Sequence, residues 1–147
     1  MEQAKKRLKT ASLIVLLFAG LTLLGIITEL VYGDLNSAQI PAGAPENILL
    51  ITKMILLGVT AVLLLPKVYV GIKGLKMAKA PTASKTHIIV SVIIFVILLL
   101  ELIEPILGIV NGGGFKENFS SLAGLLLELV IYYDYIKAAN AVAKLAN

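Results

Sequence analysis

The sequence predicts an all-α protein, an antiparallel four-helix transmembrane bundle with both termini on the cytoplasmic side. Three observations carry this expectation. The composition is 59% apolar and only 15% charged, against about 45–50% and about 25% in an ordinary soluble domain. The apolar residues gather into four stretches of about 19 or more, each able to cross a hydrocarbon core of about 30 Å. The basic residues gather in alternate connections. The 147 residues read as one four-span membrane domain, residues 1–147.

The first ten residues are polar and basic, and span one follows over residues 11–31. Its apolar run exceeds the core of about 7–15 residues found in a signal peptide, so it reads as a retained helix. Residues 32–47 read as a loop, because Gly33, Asp34, Asn36, Ser37, Pro41, Gly43 and Pro45 are turn and breaker residues. Glu46 then places an acid where the positive end of a helix dipole starts.

Span two covers residues 48–72 and contains Lys53, Pro66 and Lys67. Pro66 lacks a backbone donor and is expected to kink the helix on its inner side. Lys73, Lys76 and Lys79 recur every three residues beyond it, which predicts a short basic helical extension ended by Pro81. Span three covers residues 87–110, with His87 marking its start at the membrane interface, and the run Asn111, Gly112, Gly113, Gly114 breaks it. Span four covers residues 119–136 and ends in Tyr132, Tyr133 and Tyr135, which fit an interfacial aromatic belt. The Ala-rich tail can continue that helix beyond the bilayer.

Positive charge in short connections sets orientation. Lys5, Lys6, Arg7 and Lys9 precede span one; Lys73, Lys76, Lys79 and Lys85 join spans two and three; Lys137 and Lys144 follow span four. The opposite loops hold only Lys116. Every connection therefore puts both termini and residues 73–86 in the cytoplasm. Lys73, Lys76, Lys79 and Lys85 act first as topology determinants and can also touch anionic lipid head groups. The net charge of +4 is explained this way and does not point to nucleic acid.

Charges inside a span are costly and each calls for a reason. Counting rises from the helix ends puts Lys53, Glu101, Glu104 and Glu128 in one polar layer of the outer half. Lys53 is expected to meet Glu104, and Glu101 to meet Glu128. Glu101 and Glu104 are three apart and share a helix face. Two carboxylates at one depth repel, so a cation or a proton must accompany one of them. A second layer on the inner side pairs Lys67 with Asp134 by depth, although Lys67 can instead snorkel to the interface. Two roles stay open for these residues. They can form an ion or proton path or a polar ligand pocket, or they can be ion pairs that hold helix register.

With no Cys in the chain, disulfides, thiolate metal sites and Cys nucleophiles are excluded. Glu101, Glu104 and Glu128 resemble part of a di-metal carboxylate bundle, but such sites take a Glu-x-x-His pair from each of two helices. The single histidine, His87, sits at the other end of its span. No metal and no cofactor is expected. No P-loop, Rossmann fingerprint, nucleophile elbow or His-Glu-x-x-His motif occurs. Small residues suited to close helix packing occur at Gly20, Gly25, Gly58, Ala61 and in Ser120-x-x-x-Gly124.

The stretch Val70-Gly71-Ile72-Lys73-Gly74-Leu75-Lys76, followed by Pro81 and His87, resembles small four-span membrane proteins of bacteria, a group without an assigned activity. The resemblance covers span two, the connection after it and the four-span layout. It implies a bacterial inner membrane and transfers no functional residue. Three functions remain in order of expectation. The first is a non-enzymatic accessory or interaction protein that engages lipid, a membrane-protein partner or further copies of itself. The second is an oligomeric ion or proton channel or transporter lined by Glu101, Glu104 and Glu128. The third is an intramembrane enzyme.

Overall fold

In the computed structural model, residues 2–32, 46–112 and 115–146 are described. The expected loop around Gly33 to Pro45 lies outside them, as do the side chains of Lys53 and Glu29. The described chain is helical: α1 (Glu2–Tyr32), α2 (Glu46–Lys79), α3 (Thr86–Glu101), α4 (Ile103–Val110) and α5 (Phe115–Ala143). Three stretches are long and apolar enough to cross a membrane, Glu2–Thr28, Leu50–Lys79 and Thr86–Val110. Among the described residues α5 is not one of them.

The two helix-interior prolines behave differently. α2 continues as one helix across Pro66. At Pro105 the ladder is interrupted, because proline has no N–H to donate to the Glu101 carbonyl. Leu102 therefore separates α3 from α4, with its own N–H on the Leu98 carbonyl at 3.2 Å and the Ile106 N–H on its carbonyl at 3.3 Å. Leu102 itself keeps helical dihedrals of −64° and −23°. α4 ends where Gly112 takes a φ of 85°, a conformation glycine adopts without a Cβ penalty.

The helices form a bundle in which α1 packs on α2 and α5, and α3 packs on the same two. The core is not spread evenly. Leu8, Val15, Val70, Met77, Tyr135 and Val142 are buried together at the end that carries most of the basic residues. There α1 and α2 approach so closely that only glycine fits. A Cβ at Gly71 would lie 2.5 Å from Leu16 Cγ, and one at Gly74 would run into Ser12 Oγ and the Tyr135 ring. By contrast, Gly20, Gly25, Gly58 and Gly124 have nothing within 4 Å of a Cβ. Within the chain, the close packing of glycine occurs at Gly71 and Gly74 and not at these four, which leaves them to packing between chains.

The Ala-rich tail continues α5 as a helix to Ala143, and it packs into the core, since Ala138, Ala139, Val142 and Ala143 are buried. One further expectation is corrected at this end. Tyr132 and Tyr135 do not form an interfacial belt. They are 1% and 0% exposed, whereas Tyr133 faces outward. Tyr132, Tyr135, Ala139 and Val142 recur every three or four residues and so lie on one helix face.

Candidate functional site

The site is built around one ion pair. Lys67 Nζ of α2 donates to Glu128 Oε1 of α5 at 2.6 Å, with the side chains 19% and 13% exposed. This is not the pairing read from depth alone, which matched Lys67 with Asp134 and Glu128 with Glu101. Asp134 instead accepts from Arg7 of α1 at 3.0 Å, in an exposed pair. The physical reason is rotation about α5. Glu128 and Asp134 are six positions apart, which turns them about 240° from one another at 3.6 residues per turn. One therefore faces α2 and the other faces α1.

Register completes the explanation. The Tyr135 hydroxyl donates to the Val70 carbonyl at 2.9 Å, which sets Tyr135 level with Val70 and Tyr132 level with Lys67. Helix side chains lean toward the N-terminus of their helix. Lys67 therefore reaches back along α2 to the level of Glu128, one turn from Tyr132. In a low-dielectric setting such a pair is costly to desolvate and costlier to break.

Beside the pair lies a groove of about 520 Å³. Leu63, Leu64 and Lys67 of α2 form one wall, Ile93, Ile97 and Glu101 of α3 the other, and Thr22 of α1 also lines it. Leu63, Ile93 and Ile97 are exposed, so the groove is open along its side. The Thr22 hydroxyl is turned back onto the Phe18 carbonyl at 3.0 Å. Lys67 and Glu101 thus place one cation and one carboxyl group in a mostly apolar groove that Thr22 and Thr60 also line.

The expected outer layer is only partly assembled. Glu128 is bound to Lys67. Glu101 and Glu104 are exposed, and neither has an ion pair among the described residues. Lys53 lies outside the described side chains. Lys73, Lys76, Lys79 and Lys85 are all exposed at the basic end, and Lys73 Nζ stands 5.8 Å over the Tyr69 ring.

His87 was expected at the interface but is buried in the core, 3% exposed. Its ring meets Tyr135 edge-on at a centroid distance of 6.2 Å. His87 Nε2 and the Tyr132 hydroxyl have no hydrogen-bond partner among the described residues. The sequence offered one signal for this cluster: Gly71 and Gly74, three apart, are the glycines that let Ser12 and Tyr135 converge. Arg7 gave no signal beyond its charge, because its partner lies 127 positions away.

No three His, Asp or Glu side chains gather into a metal-binding group among the described residues. The class these features define is a helical bundle with several candidate membrane-spanning helices. No family model, curated protein or solved structure matches the chain.

Proposed function

We propose that this chain is an integral protein of a bacterial cytoplasmic membrane and works as a non-enzymatic accessory protein. It crosses the bilayer four times in alternating directions, with both termini and residues 73–86 inside. It holds a membrane partner, either another protein or a second copy, through the half of the bundle opposite its basic end. Three candidate spans support the membrane reading. The alternation of basic connections supports the orientation.

The partner reading is carried by one observation. Over residues 50–63 of α2 no described side chain is buried, and Leu50, Ile51, Ile55, Val59 and Val62 are each more than half exposed. At about 100° per residue these positions cover half the helix circumference. On the other half Thr52, Leu57 and Thr60 are half-buried, so this exposed arc faces away from the chain's own bundle and is the face open to a membrane partner. The Lys67–Glu128 pair inside one chain favours the accessory reading over a channel, because it occupies the mid-span carboxylate that an ion path would use.

The test places a photo-crosslinking residue at Ile55, in the open half, or at Ile89, an exposed position near the basic end. A discrete adduct of higher mass should form from position 55 in native membranes and not from position 89. No adduct from position 55 would sink the partner reading. In proteoliposomes the wild type should leak ions no faster than empty vesicles. Flux that Glu128→Gln alters would move the assignment to a channel.

A further inference from the structure

The groove between α2 and α3 matches one occupant in length, polarity and access. We propose that it binds an acyl chain of an anionic phospholipid drawn from the leaflet on the basic side. The inference rests on the membrane reading above and is independent of the protein partner.

Length is the first argument. The lining residues of α3 run from Val90 to Glu101. Eleven rises of about 1.5 Å give about 16 Å, close to half a hydrocarbon core of about 30 Å. The groove is therefore one leaflet deep. Its volume of about 520 Å³ falls among those of small-molecule sites, and its walls of Leu, Ile and Val suit a hydrocarbon chain.

Access is the second. Leu63, Ile93 and Ile97 leave the groove open along its side. An occupant already dissolved in the bilayer enters laterally, with no passage through water.

Charge is the third, and it selects the head group. The helices that form the groove are joined at its Val90 end by a connection bearing Lys73, Lys76, Lys79 and Lys85, all exposed. No acidic residue occurs between residues 73 and 100. Such a cluster attracts anionic head groups over about a Debye length. Within the groove Lys67 stands toward this end and Glu101 at the far end, so an anionic head is favoured at one end only. The Lys67 ammonium has three donors. Its bond to Glu128 leaves capacity for an ester carbonyl of the bound lipid.

The chain contains no Trp, so a single introduced Trp reports without background. Ile93 lines the groove, while Val92 is exposed at the same depth and does not line it. Ile93→Trp and Val92→Trp are reconstituted in phosphatidylcholine vesicles holding a small fraction of brominated phosphatidylglycerol or brominated phosphatidylcholine. Trp at 93 should be quenched by the phosphatidylglycerol at about one-fifth the mole fraction needed of the phosphatidylcholine, the preference one basic side chain supplies near an anionic surface. That preference should fade at high salt. Trp at 92 should show none. Ile97→Trp against Val96→Trp repeats the comparison one turn deeper, whatever either substitution at 92 or 93 does to folding.

Equal quenching at the paired positions, or an excess in the groove that ignores the head group, overturns the proposal. Quenching at no position overturns both the proposal and the membrane reading beneath it.

Discussion

The two ends of this bundle use the same residue types to opposite effect. At the basic end Gly71 and Gly74 are pressed against Leu16, Ser12 and Tyr135. At the other end Gly20, Gly25, Gly58 and Gly124 face open space. Leucine divides likewise. Leu8 is sealed in the core, while Leu24 and Leu50 are more than half exposed. In lipid, apolar exposure carries no penalty of its own, so association depends on close packing and on polar contacts. The basic end has both. Among the described residues the opposite half shows no crowded glycine and no ion pair, and that difference marks where stability lies and where a partner can be held.

The comparison can be broken most severely at Lys67. Lys67→Met leaves Glu128 unpaired and should cost about 3–5 kcal/mol of unfolding free energy, read from unfolding in mixed micelles by circular dichroism. Pairing it with Glu128→Met should recover most of the loss. If the single variant is as stable as wild type, the pair does not hold α2 to α5.

A smaller effect, about 1–3 kcal/mol, is expected for Gly74→Ala, because overpacking a closed joint forces side chains out of place. Gly58→Ala in the open half should not destabilise. Equal losses at both would erase the contrast between the ends. Tyr135→Phe removes the hydroxyl that sets register on Val70 and should cost about 0.5–1.5 kcal/mol. Arg7→Ala breaks an exposed pair and should cost under about 1 kcal/mol, diminishing further in salt. A larger loss at Arg7 than at Gly74 would move the stability of this end from its packed joint to its surface.

The candidate site was only half readable in advance. Lys67, Glu101, Glu128 and Asp134 stood out because charge within an apolar run is conspicuous at any position. Their partners did not, because depth along a helix is a linear count while pairing also needs rotation and register. Counting set Lys67 beside Asp134. The Tyr135–Val70 bond and the turn of α5 gave Lys67 to Glu128 and Asp134 to Arg7. His87, Tyr132 and Tyr135 were misplaced for a related reason. Amphipathic side chains near a helix end suit an interface and a core equally well, and only the neighbouring helices decide.

By itself the sequence determined that the chain is helical and that long apolar stretches alternate with polar, basic connections. These are local properties, set by composition and by the punctuation of Gly and Pro. It also determined where a helix ladder can fail, since proline lacks a donor wherever it stands. Only the tertiary structure decided that the helix divides before Pro105 and runs on across Pro66. It likewise decided which glycines are crowded, which carboxylate meets which cation, and that the α2–α3 face opens as a groove. Each of these depends on how one helix is turned and shifted against another, and no count along a single chain contains that information.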